Sequence, residues 1–407
     1  MKITVMTQDT RGGVQPYAAL ARALVEAGHE VQAVAPADLA WLFERNGVTC
    51  LALDGMPTEL AREVALDSQG DRHGGLRKAA KAIAAKAPGW AVTVLEFAEG
   101  TDILTGGVGG AVLGQPVADA LGVPWVPAHL QPVGLRNRAY PGVLMTNLPR
   151  LGGLGNLLGQ ALTEAAIRLP FQGMQKAARR ALGARTRAPK FAGAVYGISP
   201  AVIQPPAGAD SHLMAGYWFD TSYADVLAPE VLDFLAREPG RPVVSVGFGS
   251  MHIADPQALR ATMLASARAL GVRVVFIAGN GAVAQGSDDP DVLTVSSISH
   301  TALFPRMAVN VHHGGAGTSA GAFAAGVPSV IVPFGADQPF WALRASALGV
   351  APDPIPVERV TQGRITEALR RALSDEGLRA RSAEVGATIR AEDGSRNAAQ
   401  WYGRIGL

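Results

Sequence analysis

Two histidines stand at the end of an apolar run and are followed by small residues: Val311-His312-His313-Gly314-Gly315-Ala316-Gly317, then Thr318 and Ser319. Small residues let backbone N–H groups approach a ligand with no Cβ in the way. A helix opening directly afterwards adds unpaired N–H donors and the positive end of a helix dipole. Together these make an anion site, most naturally for phosphate. Thr318 adds a hydroxyl, and a histidine adds a hydrogen bond or a charge. No Gly-Lys-Ser/Thr follows, so this is not a Walker A loop. It also does not follow the first strand, as the dinucleotide fingerprint does. A glycine turn carrying two surface histidines is the plain alternative.

The neighbouring residues fit the anion reading. Residues 326–341 read GVPSVIVPFGADQPFW, with a strand ending at Pro333 and Asp337-Gln338 opening the next helix. A carboxylate beside a carboxamide offers acceptors and donors for vicinal hydroxyls, which suits a sugar. Otherwise Asp337 serves only as a helix N-cap. Upstream, Gly247-Phe248-Gly249-Ser250 closes the strand PVVSVG, where backbone and hydroxyl can hold a second phosphate.

Alternating strands and helices must position these residues. Residues 2–7 read as a strand, Arg11-Gly12-Gly13 as a turn, 16–28 as a helix and 29–36 as a second strand. That is a βαβ unit, which implies a parallel sheet. Further strands fall at 48–53, 102–105 and 123–127, and helices at 76–87 and 117–121. A second alternation begins near residue 242, with strands at 242–247, 272–278, 292–295, 308–312 and 329–333 and helices at 256–270 and 319–325. Proline and glycine accumulate over 204–240. The expected fold class is α/β: two facing, doubly wound, Rossmann-like domains whose strand ends share a cleft. The expected division is 1–218, a linker over 219–240, 241–388, and a C-terminal helix over 389–407 that packs back on the first domain.

Composition narrows the class. The chain has 407 residues, 48% of them apolar and 17% charged, enough for a large core. A net charge of +2 gives no electrostatic reason to expect nucleic acid. The single Cys50 excludes an intrachain disulfide and CxxC zinc sites, and reads as a small buried hydrophobe. The opening MKITVMTQDT reads as a strand rather than a signal peptide, and no apolar run is long enough to span a membrane. A cytoplasmic protein is expected. Between Glu164 and Lys190 stand one acid and seven bases: Arg168, Lys176, Arg179, Arg180, Arg185, Arg187 and Lys190. This is either a solvated helix face or a patch that rests on anionic lipid.

HHGGAGT followed by GVP, DQ and W resembles the donor signature of family 1 glycosyltransferases of the GT-B fold. TRGGVQPY, GHEV, VPAHLQP and RNRAYP resemble the branch holding sterol glucosyltransferases and antibiotic (vancomycin-type) glycosyltransferases. The likeness runs over essentially the whole chain. It implies an inverting, metal-independent hexosyltransferase using a UDP- or dTDP-sugar and a lipophilic acceptor such as a sterol or polyketide. The nucleotide sugar is a co-substrate, and no cofactor is implied. The resemblance implies that His313, Gly315, Ala316, Gly317, Thr318 and Ser250 hold the diphosphate. It places the base near Ile298 and His300, and the sugar hydroxyls on Asp337 and Gln338. Thr10, Gly13 and Gln131 fall on the acceptor side.

One position departs from the pattern. The first turn of that branch carries an aspartate as the acceptor's base, and Gly13 stands in its place. Asp9, four residues earlier at the end of the first strand, and His129, an imidazole with an ordinary pKa of about 6.5, are the two replacements. Two further readings stand beside them: an acceptor that needs no strong base, and a non-catalytic nucleotide-sugar-binding relative. A two-domain NAD-dependent oxidoreductase is a third class, opposed by the lack of a complete GxGxxG after the first strand. Monomer and homodimer both remain open.

Overall fold

The computed structural model describes residues 1–54, 72–146, 152–184, 191–206, 211–220, 226–249, 251, 253–279 and 289–405, with side chains from residue 84 in the helix that begins at Arg72. The chain divides into two compact units, Met1–Ser222 with Asp393–Leu407, and Tyr223–Glu392. Among the described residues no helix is long and apolar enough to cross a membrane.

The first unit is built on a parallel sheet of β1 (Lys2–Met6), β2 (Glu30–Pro36), β3 (Thr49–Leu53), β4 (Ile103–Gly106), β5 (Trp125–His129), β6 (Ala194–Tyr196) and β7 (His212–Met214), ordered 3-2-1-4-5-6-7. Every strand pair is parallel, so both faces must be covered by crossovers. Helix α1 (Arg11–Glu26) covers one face through Val14, Tyr17, Ala18 and Leu20. Helices α2 (Arg72–Phe97) and α3 (Ala111–Leu121) cover the other, with Trp90, Val94, Leu113 and Val117. Helix α1 begins at Arg11, where a turn is expected, and runs through Pro16. Gly13 and Val14 donate to the Thr10 carbonyl at 2.8 and 3.0 Å. Pro16 therefore forfeits only the bond to the Gly12 carbonyl, near the helix start, where the loss is small. Cys50 is half-buried against this core, and burial pushes its thiol up to about 12, so it stays protonated.

The helical stretch after β5 forms α4 (Gly152–Arg168) and α5 (Gln172–Ala181). Arg185, Arg187 and Lys190 lie outside the described residues.

The second unit carries β8 (Val243–Gly247), β9 (Arg273–Ile277), β10 (Val292–Val295), β11 (Val309–His312) and β12 (Ser329–Ile331), ordered 10-9-8-11-12 and all parallel. In the proline-rich stretch before it, Pro229–Ala236 is helix α6, which buries Val231 and Phe234. The buried guanidinium of Arg273 donates to the Phe234 carbonyl at 2.6 Å and to that of Arg237, closing that helix's end. Helix α7 (Pro256–Ala269) packs through Leu259 and Met263. The short α8 (His300–Leu303), α9 (Ala316–Ala325), α10 (Gln338–Leu348), α11 (Gln362–Ser374) and α12 (Glu376–Ala391) complete the unit.

The last helix, α13 (Gly394–Tyr402), belongs to the first unit. Ala398, Ala399 and Tyr402 join the core on the α1 face. Asn397 Nδ2 donates to the Ala215 carbonyl at 3.0 Å. Tyr402 Oη meets Thr105 Oγ1 at 2.5 Å, and Trp401 sits edge-on to Phe191.

Both sheets reverse their order once, between β1 and β4 and between β8 and β11. In open α/β sheets ligands bind at the carboxyl ends of the strands at such reversals.

Candidate functional site

The carboxyl end of β11 is where the two histidines stand. His312 is buried, and its Nδ1 accepts a hydrogen bond from the Gly314 N–H at 3.1 Å. Burial first, then His313 and His300, push its pKa down to about 3, so the ring is neutral. His313 is 8% exposed, and burial lowers it to about 4. In the free protein it therefore offers a neutral imidazole rather than a charge. The His313 Nδ1 and His312 Nε2 have no hydrogen-bond partner.

Glycines frame the His313 ring. A Cβ on Gly249 would stand 3.1 Å from Cε1, and one on Gly315 would stand 2.5 Å from Nε2. Gly249 and Gly314 also have φ of +60° and +87°, where a side chain is strained. The glycine run thus holds a ring as well as opening a loop.

Helix α9 starts at Ala316, three residues earlier than expected, with Gly315 as N-cap. Its first internal bond runs from the Ser319 N–H to the Gly315 carbonyl at 2.8 Å. The amides of Ala316, Gly317 and Thr318 precede that bond and have no carbonyl of the helix to meet. Gly317 is exposed and Ala316 and Thr318 half-buried, so a ligand can reach them. Three helix-start donors, a neutral imidazole and the Thr318 hydroxyl stand together at the β8/β11 reversal, an arrangement chemically suited to an anion.

Neighbouring loops complete this edge. Phe248 packs against Phe334 at 5.5 Å, which ties the loop after β8 to the loop after β12. Ser250 lies outside the described residues. Asp337 takes the N-cap position of α10 without capping it; instead its Oδ2 accepts from Trp341 Nε1 at 3.0 Å. Gln338 is buried, and its Oε1 accepts from the N–H groups of Phe334 at 2.8 Å and Gly335 at 3.4 Å. Its Nε2 lies 3.0 Å from Met251 Sδ. Gln338 thus pins the turn that carries Ala336 at φ +53°, a task its sequence position did not reveal. Ile298 is half-buried beside the core of the unit, and His300 opens α8 with its ring stacked on Phe304 at 4.4 Å.

At the β1/β4 reversal of the first unit, Asp9 and Thr10 are exposed, and the Thr10 N–H donates to Asp9 Oδ1 at 2.6 Å. A Cβ on Gly13 would fall on the Asp9 carboxyl group. One turn further, Tyr17 Oη donates to the Ala128 carbonyl at 2.7 Å. Burial, then the charge of Asp9, then Tyr402 raise the Tyr17 pKa well above its ordinary value, so it remains a phenol. His129 closes β5 with its ring 5.5 Å from that of Tyr196. Burial, with a smaller contribution from His212, lowers it to about 4, so the ordinary value expected of it does not hold. Gln131 is half-buried in the following turn, where its carbonyl accepts from the Val133 N–H at 2.8 Å. Among the described residues no group of three or more His, Cys, Asp or Glu could hold a metal ion.

Two parallel α/β units, each with one sheet reversal, define the class of fold as GT-B. Residues 261–400 match the family model of the erythromycin biosynthesis protein CIII-like C-terminal domain. A sterol 3-beta-glucosyltransferase of Emericella nidulans is 31% identical over 98% of this chain, and the chain spans 30% of that protein's length. The crystal structure of the glycosyltransferase SnogD from Streptomyces nogalater superposes with a TM-score of 0.67 at 21% identity, covering 100% of this chain and 99% of SnogD. The glycosyltransferase VinC, in complex with dTDP, gives 0.65 at 20% identity, covering 99% of both chains. The likeness to these proteins supports a glycosyltransferase of family 1, and the fold is shared with the solved glycosyltransferase structures.

Proposed function

We propose that this chain moves a hexose from a UDP- or dTDP-linked sugar to a hydroxyl of a lipophilic acceptor, with inversion at the anomeric carbon. The observation that carries the reading is the set of unpaired α9 amides beside the neutral His313 ring at the β8/β11 reversal. The sterol acceptor named for the Emericella relative and the dTDP held by VinC support the two substrate classes.

In this reading the diphosphate lies on the backbone from Gly315 to Gly317 and the amides of the first turn of α9, with His313 and the Thr318 hydroxyl around it. Ile298 and His300 flank the nucleotide base. Asp337 accepts from a sugar hydroxyl, while Gln338 keeps that loop in place. Thr10, Gly13 and Gln131 line the acceptor side. The acceptor oxygen attacks the anomeric carbon as its bond to the β-phosphate oxygen breaks, and the electron pair leaves on the diphosphate. Helix amides aimed at that developing charge stabilise it without reorganising. Bound diphosphate also raises the His313 pKa, so the imidazole can add a charge as the leaving group forms.

Asp9 takes the acceptor's proton. Its carboxylate is exposed at the β1/β4 reversal, whereas the His129 ring is packed on Tyr196 at the neighbouring strand. The activity is cytoplasmic, with peripheral lipid contact through the basic stretch from Arg168 and a monomer or homodimer as the working form.

The test follows nucleoside diphosphate release and glycoside formation from UDP- and dTDP-hexoses with sterol and polyketide acceptors. Wild type forms glycoside; Asp9→Asn loses ~10²–10⁴-fold in rate, the usual range for general-base assistance, with unchanged nucleoside diphosphate affinity. Tight nucleotide binding with no turnover on any acceptor supports the second reading, a nucleotide-sugar-binding relative, which the absence of a carboxyl on Gly13 itself favours. Failure to bind either nucleotide sinks both.

A further inference from the structure

Helix α4 (Gly152–Arg168) is folded inside out. Its polar residues face the protein: Gln160 Oε1 accepts from the Asn137 N–H at 2.8 Å and its Nε2 donates to the Tyr140 carbonyl at 2.7 Å. Asn156 Nδ2 donates to the Arg138 carbonyl at 2.8 Å, and Thr163 is buried. Glu164 pairs with Arg136 at 3.1 Å. One row of leucines points away, while Leu157 and Ile167 are half-buried. Leu154, Leu158 and Leu162, spaced by four, are 70%, 56% and 42% exposed, and Leu169 just beyond the helix is 62% exposed. A surface helix ordinarily turns its apolar stripe to the core. Among the described residues of the first unit the stripe has no partner, and an exposed apolar patch of this kind marks an interaction site.

The charge around the stripe selects what covers it. Glu164 is the one acid in α4 and α5, and it is engaged by Arg136. Arg168 ends α4, Arg138 lies in the loop that Asn156 bonds, and Lys176 and Arg180 are on the following α5; all four are exposed. An exposed leucine row on a helix whose flanking charges are cationic is the pattern of a helix lying in the plane of an anionic bilayer. A protein partner of ordinary charge would find a strongly one-signed rim.

We infer that the outer face of α4 seats this protein on an anionic lipid surface, with Leu154, Leu158, Leu162 and Leu169 entering the interface and the arginines meeting the headgroups. The inference deepens the proposed lipid contact, and the bulk of the apolar contribution comes from α4 rather than from the basic stretch alone. It places the lipophilic acceptor's source beside the acceptor-binding unit.

Co-sedimentation with vesicles of phosphatidylcholine doped with phosphatidylglycerol, against phosphatidylcholine alone, tests it on the full chain. Wild type pellets with the anionic vesicles and is released by salt. Leu158→Asp and Leu154→Asp each lower binding by about tenfold or more, with thermal melts and transfer to a water-soluble acceptor unchanged. Arg168→Glu with Lys176→Glu removes the salt-sensitive part. Three results overturn the inference: no pelleting of wild type, pelleting unaffected by both leucine variants, or a homodimer in sedimentation velocity that Leu158→Asp splits. A raised KM for the soluble acceptor in the leucine variants also overturns it, since the stripe would then line the acceptor site. Vesicle binding is read without turnover, so a failure of the transferase reading leaves this result standing.

Discussion

The carboxyl group of Asp9 lies where a side chain on Gly13 would begin. Gly13 is in the first turn of α1, and Asp9 precedes that helix by two residues, so the chain folds the acid back over the helix start. The position that carries an aspartate in the resembling branch is thus covered by a carboxyl group from a different residue. The absence at one position and the presence at the other are one arrangement, because both side chains cannot occupy that space.

This makes Gly13→Ala informative. Its methyl group displaces the Asp9 carboxyl, and the transfer rate falls by ~10²-fold or more, toward that of Asp9→Asn. Donor affinity, measured by titration calorimetry, stays at the wild-type value. A Gly13→Ala enzyme at full rate would show that the placement of Asp9 is irrelevant to turnover.

Gly315→Ala puts a methyl group 2.5 Å from the present position of His313 Nε2, and the ring must move. A hydrogen bond to a charged group contributes about 1.5–3 kcal/mol, so UDP or dTDP affinity drops by about ten- to a hundredfold. The thermal melt of the free protein changes little. Unchanged affinity would remove the His313 ring from the anion site.

Stability depends on pH through the same histidines. Their free value is about 6.5, and the folded chain lowers His129 and His313 to about 4 and His312 to about 3. Between these values the unfolded chain binds more protons than the folded one. Stability present above about pH 6.5 is therefore lost as the pH falls toward about 4, by up to about 1.4 kcal/mol per unit for each histidine. His312→Asn keeps an acceptor for the Gly314 N–H and flattens the decline. Melting curves across this window check it, and a midpoint indifferent to acidification contradicts it.

Tyr402→Phe removes the donor to Thr105 Oγ1, which itself donates to the Val126 carbonyl at 2.8 Å. The bond is buried, and its loss costs about 1–2 kcal/mol. A lower denaturant midpoint with an unchanged slope is expected, and no shift would mean that α13 is held by its apolar face and the Asn397 bond to Ala215 without help from Tyr402.

The candidate anion loop was legible in the amino-acid string because its parts are neighbours along the chain. A strand end, a glycine run and a helix start suffice for an anion site, and Val311 to Ser319 contain all three. The alternation of apolar strands and helices likewise announced two parallel sheets, since each element's periodicity is local. The start of α1 was misplaced because Gly12, Gly13 and Pro16 break helices in the middle but are tolerated within the first turns.

What the sequence determined by itself is therefore the alternating α/β class, most of the strands and the one candidate loop whose donors are contiguous; the short strands Ala194–Tyr196 and His212–Met214 escaped it. Only the folded chain decided that Asp9 covers Gly13, that burial leaves His313 neutral, that Gln338 is spent on holding a turn, and that α4 shows its leucines to the outside. Those facts depend on desolvation and on contacts between residues far apart in the chain, such as Gln160 with Asn137 or Tyr402 with Thr105. Local pattern states what a residue is able to do, whereas the packing around it determines which way it points and whether it carries charge.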